Sequence, residues 1–93
     1  MVAVKRLHVR VEGEVQGVGF RYGTYRQAIA LGLNGWVRNL PDGSVEAEFE
    51  GDPLSLERML EWCRRGPRWA TVVNVDATWD EGEPRYSGFS ITG

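Results

Sequence analysis

The apolar residues of this chain change their spacing several times, and the order of these changes restricts the fold more than any other feature. The first stretch alternates apolar and polar residues, as a strand with one buried face does, and its predicted core residues are Leu7, Val9 and Val11. Helical spacing follows over residues 20–31, and Gly32 is placed to end that helix. Its predicted buried residues are Tyr25, Ala28 and Ile29. A strand therefore leads through a short loop into a helix.

Strand and helix spacing then recur in the second half of the chain. Residues 35–39 and 44–50 alternate around Pro41-Asp42-Gly43, which predicts a β-hairpin whose solvent face carries Glu46, Glu48 and Glu50. A second helix is predicted to begin after Asp52 as its N-cap and to end at Gly66-Pro67. Its apolar stripe consists of Leu56, Met59, Leu60 and Cys63. A fourth strand is marked by Val73, Val75, Ala77 and Trp79, and a short last strand by Phe89 and Ile91.

This order of elements predicts an α+β fold. The sequence β-α-β-β-α-β is the ferredoxin-like arrangement, in which two helices cover one face of an antiparallel sheet, and here a short C-terminal strand is added. With 93 residues the chain has enough material for one core and no more. We therefore expect residues 1–93 to form a single domain.

Composition argues against several classes of function. A formal net charge of −2 is unlike the strong basic excess of proteins whose main partner is nucleic acid. The first residues carry charges where a signal peptide needs an apolar region, and no apolar run approaches the roughly 20 residues of a membrane span. Cys63 is the only cysteine, so neither an intramolecular disulfide nor a thiolate metal cluster is expected. These features predict a cytoplasmic protein that contacts no membrane.

The loop between the first strand and the first helix is unusually rich in glycine. It lies in the stretch VEGEVQGVGFR, Val11 to Arg21. Free N–H groups at a helix start can bind an anion, and the arginine in the first helical turn can pair with two phosphate oxygens. The stretch lacks both the Gly-Lys-Ser/Thr end of a P-loop and the pattern GxGxxG. From the residues alone, two interpretations stay open: a phosphate site, or a tight turn followed by a solvated arginine.

Conventional catalytic groups are scarce elsewhere. His8 falls on the polar face of the first strand, and Cys63 falls on the apolar stripe of the second helix, where a buried thiol is expected. No HExxH motif, Cys/His cluster or Ser-His-Asp candidate occurs. Any chemistry should therefore depend on arginine, backbone N–H groups and neutral polar side chains, which suit charge stabilisation better than proton transfer.

Two segments together resemble the signature of the acylphosphatase family. They are GEVQGVGFR, residues 13–21, and ALGLNGWVRNLPDGSVE, residues 30–46, and the likeness extends over almost the whole chain. The resemblance implies a ferredoxin-like sandwich. It also implies hydrolysis of the carboxyl–phosphate bond of small acyl phosphates, giving a carboxylate and inorganic phosphate without a metal or other cofactor.

The resemblance also implies roles for particular residues. Arg21 matches the arginine that binds the phosphoryl group, and Asn39 matches the asparagine that orients the attacking water. The loop residues whose backbone N–H groups would share the phosphoryl group are Val15, Gln16, Gly17, Val18, Gly19 and Phe20. Without the resemblance, Asn39 would be interpreted as an ordinary residue before a turn. Trp69 and Trp79 are interpreted as packing residues.

Two other functions stay open. The domain could be a non-catalytic or carbamoyl-phosphate-binding module, since similar domains occur inside larger carbamoyl-transfer enzymes. The end of the sequence at Gly93 favours a stand-alone enzyme. We expect this enzyme to be a monomer. A single-stranded RNA binder of the same topology should carry several aromatic residues on a central strand, whereas SVEAEFE, residues 44–50, has one aromatic residue and three acids.

Overall fold

A computed structural model describes residues 3–93 and confirms the predicted order of elements. The strands are β1 (Val4–Glu14), β2 (Asn34–Asn39), β3 (Val45–Gly51), β4 (Thr71–Gly82) and β5 (Phe89–Ile91). The helices are α1 (Phe20–Ala30) and α2 (Pro53–Arg65). Asp52 caps α2 as predicted, because its carboxylate accepts a hydrogen bond from the backbone N–H of Ser55 at 3.1 Å. No helix within residues 3–93 is long and apolar enough to cross a bilayer.

The strands form one five-stranded sheet in the order β4-β1-β3-β2-β5. The pairs β4-β1, β1-β3 and β3-β2 are antiparallel, which confirms the ferredoxin-like arrangement. The short last strand, β5, adds to β2 in parallel, so the complete sheet is mixed. Because β4 and β5 lie at opposite edges, residues 83–88 must cross from one side of the sheet to the other.

Both helices pack on one face of the sheet and close the core. The predicted core residues of β1 are fully buried, as are Leu56, Met59 and Cys63 of α2. In α1 the prediction for Ile29 was wrong, because its side chain is 51% exposed. The buried stripe of α1 is instead Phe20, Thr24 and Ala28. Its polar member can be buried because the Thr24 hydroxyl donates to the carbonyl oxygen of Phe20 at 2.8 Å.

Strand β4 departs from the predicted alternation. Val73, the first of the four alternating residues that marked this strand in the sequence, is 77% exposed. Glu12 of β1 pairs with Asn74, and the next residue, Gly13, pairs with Val72, so that Val73 is the extra residue of a β-bulge. The bulge turns Val72 toward the core in its place. Gly13 is required opposite it, because a Cβ there would lie 2.1 Å from the carbonyl oxygen of Thr71.

The two tryptophans expected to pack are more exposed than predicted. Trp69 is 73% exposed in the loop between α2 and β4, so its interpretation as a packing residue was wrong. Its ring instead lies 5.2 Å from the guanidinium of Arg68. Trp79 pairs with Leu7 on the helix-covered face but is 41% exposed, because β4 is an edge strand.

The face of the sheet away from the helices contains a buried carboxylate. Glu50 was predicted to face solvent but is 1% exposed, because residues 83–88 cover it. Its carboxylate accepts hydrogen bonds from the backbone N–H groups of Arg85, at 3.0 Å, and Tyr86, at 3.2 Å. The Arg6 guanidinium lies 3.4 Å from the same carboxylate. The long crossing segment therefore docks onto an ion pair that the alternating pattern could not reveal.

Candidate active site

The sheet topology brings the two sequence motifs to the edge of the sheet that is formed by the C-terminal ends of β1 and β2, which is distinct from the edge strands β4 and β5. β1 and β2 are both antiparallel to β3, so they run in the same direction and their C-terminal ends lie at the same edge. Val11 of β1 pairs with Val45, which pairs with Asn39 at the end of β2. Asn39 is thus two strand spacings, about 10 Å, from β1. The glycine-rich loop begins at this edge and returns over the sheet as α1.

The φ angles of residues 16–19 in the loop alternate in sign. Gly17 and Gly19 have φ values of 76° and 83°, whereas no residue other than glycine has a positive φ in the described chain. Alternation of this kind turns successive N–H groups toward one side and forms a concave anion-binding nest. Apart from its immediate chain neighbours, a Cβ on Gly17 or Gly19 would meet no atom of residues 3–93 within 4 Å. The glycines are therefore needed for their backbone conformation, and the space beside them is open.

The N–H groups of this loop are available to a ligand. Within residues 3–93, the backbone N–H groups of residues 16–20 donate to no protein acceptor, and the first such bond runs from Gly23 to the carbonyl oxygen of Gly19 at 3.0 Å. Helix α1 has neither a side-chain N-cap nor an acidic residue in its first turn. Its positive end is thus uncompensated. The side chains of Val15 and Phe20 are buried and anchor the loop at both ends.

Arg21 adds a full positive charge beside the nest. It is partly exposed in the first turn of α1, directly after the loop. Among the residues that the structure describes, no carboxylate lies within 4.0 Å of its guanidinium as an ion-pair partner. A guanidinium that is free of carboxylates can use its fork of N–H groups on a phosphate.

Asn39 presents an unused acceptor at the same edge. Alternation along β2 puts it on the helix-covered side of the sheet, together with the buried Val37. Its Oδ1 atom is buried and has no hydrogen-bond partner within residues 3–93. Buried polar atoms are normally hydrogen-bonded, so an orphaned acceptor indicates a site where a ligand or water binds. An interpretation of Asn39 as a simple turn residue does not account for it.

The turn after Asn39, residues 40–44, is held by hydrogen bonds within the turn, from Arg10 of β1 and from Gln16 of the loop. The Asp42 carboxylate accepts hydrogen bonds from the backbone N–H and the hydroxyl of Ser44, at 3.0 and 2.5 Å, and it also accepts one from Arg10. These bonds hold the pKa of Asp42 well below its usual range, those from Ser44 having the largest effect. From the loop side, Gln16 Nε2 donates to the carbonyl oxygens of Leu40, at 2.7 Å, and Ser44, at 2.9 Å. These side-chain bonds of Gln16 could not be predicted from the sequence, because their acceptors are backbone atoms that carry no sequence signal.

The other reactive side chains lie away from this edge or are inaccessible. Cys63 is fully buried, and burial raises the pKa of its thiol to about 12, so a thiolate nucleophile is excluded there at neutral pH. His8 Nε2 lies 2.7 Å from a Glu46 carboxylate oxygen on the opposite face of the sheet. Residues 3–93 contain no group of three or more His, Cys, Asp or Glu that could hold a metal ion.

The unused N–H donors, guanidinium and carboxamide oxygen at this edge are suited to binding a phosphoryl group and orienting a water molecule, and the nearby Asp42 carboxylate is already engaged by Ser44 and Arg10. The predicted loop residues, Arg21 and Asn39 all lie at this edge. Such an arrangement suits a reaction that needs charge neutralisation and a good leaving group.

Comparisons with known proteins agree with this geometry. The acylphosphatase family model matches residues 7–91. An acylphosphatase of Thermococcus kodakarensis is 50% identical over 88 residues, which are 95% of this chain and 96% of that protein. The crystal structure of acylphosphatase from Bacillus subtilis is 34% identical and superposes with a TM-score of 0.92 over 96% of this chain and 99% of that one.

A further likeness involves a much larger protein. The crystal structure of HypF from T. kodakarensis is 30% identical with a TM-score of 0.81, over 96% of this chain but only 12% of the HypF chain. The fold thus also occurs as a small part of a longer polypeptide. Because the family model spans nearly the whole sequence and the curated relatives match along most of their own length, this chain belongs to the acylphosphatase family.

Proposed function

We propose that this protein hydrolyses small acyl phosphates, with the phosphoryl group bound by the backbone N–H groups of residues 15–20 and by Arg21, and with the attacking water oriented by Asn39. The observation that carries the proposal is the meeting of three unused groups at one sheet edge. Within residues 3–93, these are the loop N–H groups that donate to no protein acceptor, the Arg21 guanidinium without a carboxylate partner, and the Oδ1 atom of Asn39 without a hydrogen-bond partner.

The chemistry of the substrate matches what these groups can supply. The water oxygen attacks phosphorus while the bond between phosphorus and the acyl oxygen breaks, and the carboxylate leaves with the bonding electrons. A carboxylate is a good leaving group, so no strong general acid is needed. Charge on the equatorial phosphoryl oxygens is neutralised by the N–H groups and Arg21, as in other phosphoryl transfers through loose transition states.

Asn39 orients water without taking its proton. A neutral carboxamide accepts a hydrogen bond through Oδ1 but is not a base at ordinary pH. The proton lost by the water passes to a phosphoryl oxygen of the substrate. The positive charge that a metal often supplies in phosphoryl transfer comes here from arginine and backbone dipoles, so we propose that neither a metal nor another cofactor is required.

The proposed setting is a single-domain monomer in the cytoplasm that binds no nucleic acid. A single cysteine, Cys63, which has no partner for an intramolecular disulfide in this sequence, supports a reducing compartment. On the face of the sheet that RNA-binding proteins of this topology use, basic side chains such as Arg38 are paired with carboxylates, here Glu46 at 2.6 Å, so they are not free for a nucleic-acid backbone. A gel shift with mixed RNA oligomers tests this point directly, and a retained complex would contradict it.

The central test is the replacement of Arg21 and Asn39. Arg21→Ala is expected to lower kcat/KM for acetyl phosphate by about 10³-fold or more, because the main charge on the phosphoryl group is lost. Asn39→Ala is expected to lower kcat by about 10²- to 10³-fold, a loss typical of one positioned hydrogen-bonding group. Circular dichroism should stay native in both variants.

Two matched variants control for the loss of an arginine or an asparagine as such. Arg26→Ala removes another arginine from α1, and Asn74→Ala removes an exposed asparagine from β4. Both are expected to keep kcat within about twofold, as surface changes outside a site usually do. A wild-type turnover rate in either Arg21→Ala or Asn39→Ala would contradict the proposed assignment of the site.

The alternative function is that of a non-catalytic module. It is suggested by the likeness of this chain to a short part of HypF. A hydrolysis panel with acetyl, carbamoyl and aryl acyl phosphates, run with a chelator present, separates the two cases. Turnover with the chelator supports the metal-independent enzyme. Saturable binding of carbamoyl phosphate without any release of inorganic phosphate would favour the module instead.

A further inference from the structure

We infer that Gln16 is a positioning residue, whose side chain holds the turn that directly follows Asn39 at a set distance from the phosphate-binding loop. The inference rests on the proposed function, because it concerns the distance between the two halves of that site. It gives Gln16 a second role beside the backbone N–H group that it contributes to the loop.

The geometry uses both donors of one carboxamide. Gln16 Nε2 donates to the carbonyl oxygen of Leu40 at 2.7 Å and to that of Ser44 at 2.9 Å. These two residues also bond to each other across the neck of the turn, where the N–H of Leu40 donates to Ser44 at 2.8 Å. Leu40 directly follows Asn39 in the chain. A shift of the Gln16 side chain would therefore move the backbone next to Asn39.

No other side chain of the loop can make this link. The remaining residues of positions 15–20 are valine, glycine and phenylalanine, which have no side-chain donors. The other bonds that hold the turn come from Asp42 and Ser44 within it and from Arg10 on β1. Those bonds stiffen the turn and attach it to the sheet, whereas the Gln16 bonds join it to the phosphate-binding loop.

Loss of this link should affect the water more than the phosphoryl group. In the proposed site the phosphoryl group is bound by Arg21 on α1 and by the backbone of the loop, whose two ends are anchored in the core by Val15 and Phe20. In-line attack needs the water within about 3–3.5 Å of phosphorus, and a misplacement of about 1 Å can lower a rate by about 10²-fold. The effect should thus appear in kcat while phosphate affinity is kept.

The experiment compares kcat for acetyl phosphate with the inhibition constant of inorganic phosphate in Gln16→Met and Gln16→Glu. The first variant keeps the length of the side chain without its donors, and the second keeps its shape but points carboxylate oxygens at two carbonyl oxygens. We expect kcat to fall by about 10- to 100-fold in both. The inhibition constant should stay within about twofold of wild type. Arg10→Met, which removes a different bond to the same turn, should keep kcat within about twofold.

The possible outcomes separate this inference from the proposed function. An unchanged kcat in Gln16→Met and Gln16→Glu, with Asn39→Ala inactive, would overturn the role of Gln16 and leave the proposed function intact. A weaker inhibition constant that parallels the fall in kcat would also overturn it, since Gln16 would then support the loop rather than the water. Unfolding of both variants would assign the side chain to the fold alone. Failure of the wild type to hydrolyse any acyl phosphate would contradict the proposed function itself.

Discussion

Asn39 and Asp42 are three residues apart and have opposite hydrogen-bonding situations. The Oδ1 atom of Asn39 is buried without a partner in the described chain, whereas the carboxylate of Asp42 accepts bonds from Ser44 and Arg10. Both residues are typical of turns in sequence. Only the distribution of their partners shows that Asp42 makes the turn rigid and that Asn39 has an acceptor left for another molecule.

The depressed pKa of Asp42 predicts how stability depends on pH. A carboxylate whose pKa is lower in the folded than in the unfolded state stabilises the fold above its ordinary pKa of 3.8, and this contribution is lost as the pH falls toward the folded value. Asp42→Asn removes the titration. The free energy of unfolding of the wild type should therefore exceed that of the variant at pH 5–7, and the difference should shrink below pH 4.

Urea unfolding of both proteins between pH 7 and pH 2 measures this difference. The comparison isolates Asp42, since other titrating carboxylates, including Glu46 with its lowered pKa, are common to both proteins. The exposed position of Asp42 means that added salt should also reduce the difference. A gap that stays constant over the whole pH range would show that Asp42 does not titrate with folding.

At the scale of elements, residues 83–88 depend on one buried carboxylate. The Glu50 carboxylate accepts hydrogen bonds from two backbone N–H groups of this segment and lies beside the buried guanidinium of Arg6. The segment also carries Tyr86, whose hydroxyl donates to Glu48 at 2.6 Å. These contacts fix the path of the chain from β4 to β5 across the sheet. β5 can then pair in parallel with β2, the strand that ends in Asn39.

Removal of this carboxylate should destabilise the protein strongly. Glu50→Ala leaves Arg6 buried without its nearest counter-charge and leaves the N–H groups of Arg85 and Tyr86 without acceptors. Breaking a buried ion pair from one side typically lowers the free energy of unfolding by about 3–5 kcal/mol. Chemical denaturation monitored by circular dichroism measures the loss. Glu57→Ala, an exposed change on α2, should alter stability by no more than about 0.5 kcal/mol. A loss below about 1 kcal/mol for Glu50→Ala would contradict this account.

For the molecule as a whole, the chemical reactivity of the buried Cys63 thiol shows how often the core opens. Its side chain is fully buried in α2, and burial raises the pKa of its thiol to about 12. A disulfide reagent should therefore modify it only in molecules that open. We expect labelling in native buffer to be about 10³-fold slower than in concentrated urea, in keeping with the small unfolded fraction of a stable domain. Cys63→Ala should show no labelling and should keep the wild-type kcat.

A fast reaction in native buffer would disprove this protection. Stoichiometric labelling within the mixing time, with the native circular dichroism retained, would show that α2 opens independently of the sheet. Labelling that instead rises with urea in parallel with the loss of circular dichroism would confirm that α2 and the sheet unfold together.

The spacing of apolar and polar residues predicted the helices and strands well, but it predicted less well which segments pack against them. Local alternation identified β1, β3 and α2, since burial of one face imposes a period on the sequence. It was wrong for Val73, where a bulge interrupts the period, and for Glu50, where a segment more than thirty residues later in the chain covers the strand. Both errors arise from pairing between distant parts of the chain, which leaves no mark in either segment alone.

The order of the elements and, through likeness to the acylphosphatase signature, the identities of Arg21 and Asn39 as candidate site residues could be predicted from the sequence. The folded chain was needed to show that these two residues lie at one edge of the sheet, that Asn39 has an unused acceptor within residues 3–93, and that Gln16 joins the loop to the turn. The physical reason is the range of the interactions. Periodicity and backbone preference act over a few neighbouring residues, whereas distances across a sheet are set by strands paired from distant parts of the chain.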